Sequence, residues 1–77
     1  MYNQTISDIQ VFKTNIQDIS DLEKIATVLN NESRIKHWNV DLADVDKVLR
    51  VQSDELSSED ITHLITQADF CCEELPD

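Results

Sequence analysis

The sequence predicts a two-layer α+β sandwich, with two helices on one face of a four-stranded antiparallel sheet. Three observations lead there. The hydrophobic period alternates along the chain in the order strand, helix, strand, strand, helix, strand. Both helical stretches open on capping residues. The chain is also short: 77 residues bury only roughly 60–65% of their unfolded surface and build one thin core. A single domain over residues 1–77, with its core at about 9–75, is therefore expected.

Ile9-Gln10-Val11-Phe12-Lys13-Thr14-Asn15-Ile16 is rich in β-branched and aromatic residues and reads as the first strand. Either Ile9/Val11 or Phe12/Thr14/Ile16 can be its inward phase. Ile19, Leu22, Ile25, Ala26 and Leu29 then recur at helical spacing. That helix starts at Asp18, or at Ser20 with Glu23 three residues on, and Asn30-Asn31 offers a left-handed stop. Residues 35–42 alternate again, placing Trp38, Val40 and Leu42 on one inward face. A turn at Ala43-Asp44-Val45 leads into a strand over 46–52, with Leu49 and Val51 together. The second helix begins at Ser57 or Ser58, with Leu56 and Ile61 spaced as a hydrophobic staple. Its stripe is Ile61, Leu64, Ile65 and Ala68, and 70–75 forms a last strand that Pro76 stops. Two helices cannot cover both faces of so small a sheet. Right-handed crossovers then give the strand order 4-1-3-2, a ferredoxin-like plait.

Sixteen acids against six Lys+Arg give a net charge of −10, which argues against nucleic acid and anionic membranes as partners. No positive segment followed by an apolar run marks the N-terminus, and no apolar run approaches a membrane span, so a cytoplasmic protein is expected. The adjacent Cys71 and Cys72 cannot staple distant segments.

Phe12-Lys13-Thr14-Asn15-Ile16, the helix after it, Ile35 to Leu42, Asp46 to Val51 and Gln67-Ala68-Asp69-Phe70 carry a resemblance over about residues 9–75. Together they resemble the small heavy-metal-associated, copper-chaperone-like domains. The resemblance implies a loop after the first strand in which a methionine and a Cys-x-x-Cys pair hold a soft cation. Ile16 stands at the methionine position here, and Asp18 and Asp21 stand at the two cysteine positions. Copper(I) selects sulfur over carboxylate oxygen, so soft-metal carriage is expected to be lost. Asp69 stands where the family often has glycine before its aromatic residue, and the chain contains no glycine. A closed, capped helix end is the expected replacement.

Acids at a helix start accept its free N–H groups and meet the positive end of its dipole, which is the first reading of Asp18 and Asp21. The alternative reading is a divalent transition-metal site built from Asp18 and Asp21 with Cys71 or Cys72. Successive strand residues point to opposite faces, so the two thiols do not chelate together; one packs inward and the other is exposed. Asp41, Asp44, Asp46 and Asp69 are expected to share a pole with Asp18 and Asp21. Such surface acids chiefly keep a protein soluble, and their functional readings are a weak divalent-cation site or, favoured over it, a docking face for a basic protein. The Asp44-x-Asp46 spacing lacks the glycine and terminal glutamate of a calcium loop. His37 begins the second strand at the far end, and His63 falls off the inward stripe. Neither has ligand spacing to a cysteine or acid. No nucleophile–base arrangement or phosphate-cradling loop is present in the sequence. A non-catalytic binding domain without a cofactor is expected, partnered through its acidic pole or as a homodimer through an edge strand.

Overall fold

A computed structural model describes residues 8–75; the expected stop at Pro76 lies outside them. The elements are β1 (Asp8–Thr14), α1 (Ile19–Asn30), β2 (His37–Asp41), β3 (Val48–Ser53), α2 (Ser58–Gln67) and β4 (Cys72–Glu74). They form a four-stranded sheet in the order β2-β3-β1-β4, the ferredoxin-like plait read from the sequence. All three pairings are antiparallel, with Phe12 opposite Leu49, Thr14 opposite Cys72 and Asn39 opposite Arg50.

The inward phase of β1 is Phe12 and Thr14, continued by Ile16. Ile9 lies on the opposite face and is 58% exposed, because the helices cover only one side of the sheet. Phe12, Ile16, Ile25, Leu29, Leu49, Val51, Leu56, Ile61 and Ile65 form one contiguous core. Leu56 and Ile61 both enter it, flanking Ser57 in the geometry of the expected staple. Ser57 caps α2 in a reciprocal box with Asp60. The Ser57 backbone N–H donates to the Asp60 carboxylate and holds its pKa below the ordinary value.

Three local expectations are corrected. Ile19 is exposed, because as the first residue of α1 it precedes the stripe that faces the core. Asn31 closes α1 in right-handed geometry, φ −83°, and the chain tightens instead through a Glu32 N–H to Leu29 carbonyl bond. Trp38 keeps the inward face expected of it and packs against the core with Val40 and Leu42, half-buried because it lies on an edge strand, while its Nε1 donates to Asn30 Oδ1 at 2.8 Å. Two strands start later than read: β3 starts at Val48 because residues 42–47 make the turn, and β4 starts only at Cys72.

Among the described residues, Lys47 and Asp69 are left-handed. Asp69 follows the C-terminus of α2 at φ 70°, while its N–H bonds the Thr66 carbonyl and the Phe70 N–H bonds the Ile65 carbonyl. That pair of bonds is a Schellman motif, with Phe70 packed against the core as its hydrophobic contact. Two buried hydroxyls fasten the remaining loops. Thr14 Oγ1 donates to the Lys47 carbonyl, and Ser53 Oγ donates to the Arg34 carbonyl while accepting from Glu55 and Leu56 N–H.

Candidate functional site

The loop from Asn15 to Asp18 joins β1 to α1 at one pole of the sheet. Its entry is fixed by Thr14, whose N–H donates to the Asp46 carbonyl at 3.0 Å and whose hydroxyl accepts from Ile16 N–H. Ile16 is fully buried, so the position that the resemblance gives to methionine is part of the core. Asp18 follows in extended geometry, φ −152°, and is the N-cap of α1. Its Oδ1 accepts from Asp21 N–H at 3.0 Å, and Asp21 Oδ2 accepts from Gln17 N–H at 3.0 Å. The two carboxylates thus clasp the first turn, each using one oxygen on a backbone donor and both meeting the positive helix end. Ser20 is not the cap.

Cys71 and Cys72 approach this loop through the chain, not as a pair. The Cys71 N–H donates to Asn15 Oδ1 at 2.9 Å, which ties the entry of β4 to the end of β1. Cys71 is exposed, whereas Cys72 is half-buried and packs against the core. Burial pushes the Cys72 thiol up to about 11, only partly offset by a hydrogen bond with Thr62. One thiol inward and one outward is the arrangement that strand alternation predicts. Among the described residues, no group of three or more His, Cys, Asp or Glu is placed to hold a metal ion.

The hairpin acids spend oxygens on their own turn. Asp41 Oδ1 accepts from Ala43 N–H, and Asp44 Oδ1 accepts from Asp46 N–H. Lys47 Nζ donates to the Leu42 carbonyl at 2.7 Å, and Lys13 lies 3.9 Å from Asp46. At the tip Val45 is 91% exposed. His37 pairs with Gln52 at the other end of β2, and His63 is exposed on α2 with Gln67 Nε2 3.2 Å from its Nε2.

Asn15 is the site residue that the sequence reading passed over. An asparagine one residue past a strand signals a turn, and its partner at Cys71 lies 56 positions away, beyond local patterning. No helix among the described residues is long and apolar enough to cross a membrane.

No protein-family profile matches the chain, and no curated protein matches it in sequence. Among solved structures, the solution structure of the N-terminal domain of ZntA in the Zn(II) form is similar, with a TM-score of 0.73. Sequence identity is 10%, over 91% of this chain and 93% of that one. At that identity the likeness is one of fold.

Proposed function

We propose that this chain is a non-catalytic binding domain on a heavy-metal-associated scaffold, which no longer carries a soft metal ion and docks a basic protein through its acidic pole. The observation that supports the reading is the clasp at the start of α1: Asp18 and Asp21 occupy the cysteine positions of the resemblance, and accept from Asp21 N–H in the first turn and from Gln17 N–H just before it. Carboxylate oxygens are poor donors for copper(I), and the helix dipole repels a cation placed at that end. The acids of the loop and of the 42–47 turn supply the steering charge for a basic partner.

A second reading keeps a cation. The free oxygens of Asp18 and Asp21, with Cys71 held to the same loop through Asn15, would take a borderline divalent ion such as Zn(II). Titration with Zn(II), Ni(II) and Cu(I), read by calorimetry and native mass spectrometry, separates the two. The first reading expects no stoichiometric binding below about 10 µM, and a loss of about 1 kcal/mol in Asp18→Ala from the missing cap. Submicromolar one-to-one binding abolished by Cys71→Ser would replace it with the second. Capture of basic proteins from a lysate, lost in Asp44→Lys/Asp46→Lys, tests the docking face; equal capture by that variant refutes it.

A further inference from the structure

β2 and β4 are the two edges of the sheet, and they differ in what they offer a second copy. β4 is three residues long with Glu73 and Glu74 exposed, so pairing it with itself about Glu73 sets like charges against each other. β2 reads His37-Trp38-Asn39-Val40-Asp41. Antiparallel pairing of this strand with its own copy about Asn39 sets His37 opposite Asp41 and Trp38 opposite Val40. These are an imidazole donor with a carboxylate and an aromatic with a β-branched residue, the cross-strand combinations that stabilise sheets.

The two faces match as well. Trp38 and Val40 both pack against the core on the helix side, half-buried, leaving a flank uncovered at the edge. His37, Asn39 and Asp41 are exposed on the other face. Asp41 uses only Oδ1 within its own chain, on Ala43 N–H, so Oδ2 remains for an imidazole N–H. A register centred on one residue keeps both sets of helices on the same side of the joined sheet, because residues directly opposite share a face.

We infer that the protein self-associates through β2, in the Asn39-centred register, to form a two-fold symmetric dimer with a continuous eight-stranded sheet. This isologous contact is of the commonest kind in homo-oligomers. It goes beyond the docking and metal readings above, and a monomeric result leaves both of those tests unchanged. A five-residue edge gives an interface in the weak class, so the dimer is half formed on the order of 10⁻⁴ M.

Sedimentation equilibrium of the whole chain from about 10 µM to 1 mM, in about 0.3 M salt to screen the repulsion between two chains of charge −10, gives the first readout. A monomer–dimer equilibrium is expected, and a monomer throughout overturns the inference. His37→Asp sets two aspartates against each other at both ends of the strand and is expected to weaken association at least fivefold. The swap His37→Asp/Asp41→His restores the opposition and the association, with folding of each variant checked by circular dichroism. Association unchanged by His37→Asp, or not recovered in the swap, overturns the register. In a Cys71→Ser background, Asn39→Cys brings two α-carbons to about 4.5–5.5 Å, within disulfide reach. It is expected to oxidise to a covalent dimer, whereas Glu73→Cys stays monomeric. Equal cross-linking of both refutes the choice of edge.

Discussion

Replacing Ser53 by alanine removes one oxygen and, from the structure, a disproportionate share of the stability. Ser53 ends β3 at 2% exposure, and its hydroxyl donates to the Arg34 carbonyl at 2.7 Å while accepting from Leu56 N–H at 3.1 Å and Glu55 N–H at 3.2 Å. The three lost bonds differ in cost. Glu55 is exposed, so its N–H passes to water at almost no loss. The Arg34 carbonyl is part-buried and loses an ordinary bond, about 0.5–1.5 kcal/mol. Leu56 is buried as the staple residue before α2, so its N–H is left without a partner, at about 1–3 kcal/mol. Alanine keeps the Cβ, so the cavity contribution is small. The expected loss is about 3 kcal/mol, from a total of roughly 4–12 kcal/mol for a chain of this length. Urea unfolding followed by the fluorescence of Trp38, the sole tryptophan, measures it directly. With the denaturant slope unchanged, the midpoint is expected to fall by about 2–3 M, since the slope for so small a domain is about 1 kcal/mol/M. Exposed Ser33→Ala should stay within about 0.5 kcal/mol. A loss below about 0.5 kcal/mol in Ser53→Ala would mean that water replaces the hydroxyl, and the assignment of Ser53 as the clamp of this corner would fail.

Asp69→Gly is expected to stabilise by about 0.5 kcal/mol, read as a rise in Tm. It relieves about 1 kcal/mol of left-handed strain and returns about half of that as unfolded-chain entropy. Asp69→Val, β-branched at φ 70°, should lower Tm, and a fall in both variants would show that the aspartate side chain itself holds the turn. Alkylation at pH 8 should modify one thiol quickly and the other slowly. Cys71 is exposed, whereas Cys72, with its thiol pushed up to about 11, is roughly one part in 10³ thiolate. The fast phase should vanish in Cys71→Ser and remain in Cys72→Ser. In acid, hydrogen bonds from Arg34 hold Glu32 at about 2 against an ordinary 4.5. A depressed carboxylate stabilises above its unfolded pKa, so this contribution is lost as pH falls from about 4.5 to about 2, and Glu32→Gln should flatten that part of the stability–pH curve. An acid limb identical in Glu32→Gln would place the titrating group elsewhere.

The element order was legible because each change of period coincides with a stop or cap signal in the sequence. The start of α2 is the clearest case, since Leu56, Ser57 and Ile61 each serve the role their spacing suggests. The phase of β1 was not legible: apolar residues stand on both faces, and only the position of the helices decides that Phe12 is inside and Ile9 outside. The reading of Asn31 as a left-handed stop follows a residue preference, yet the left-handed C-terminal residue is Asp69, where a Schellman pair of bonds fixes the geometry and outweighs the side chain's strain. At the site, the Asp18 cap and the inward–outward split of the cysteines follow from local rules. The Asn15–Cys71 and Ser53–Arg34 bonds join segments that no local window contains.

The charges at the α1 pole also bear on how the chain's own groups hold this helix start. A thiolate pair at a helix start presents two anions to the positive end of the dipole and to a cation at once. Asp18 and Asp21 keep the first interaction and replace the second with two backbone N–H donors. The Asp18 cap contributes about 0.5–2 kcal/mol without a ligand. Cys72 works in the same direction, because a thiol pushed up to about 11 is about one part in 10⁴ ionised at pH 7 and packs as a neutral residue between β4 and the core. A cation at this end would meet the positive end of the helix dipole and two carboxylates that each already hold one backbone N–H, with the Cys72 thiol held protonated by burial. Each carboxylate has one oxygen outside these bonds, and on the proposed docking reading their charges add to those of the 42–47 turn that the Asp44→Lys/Asp46→Lys test addresses.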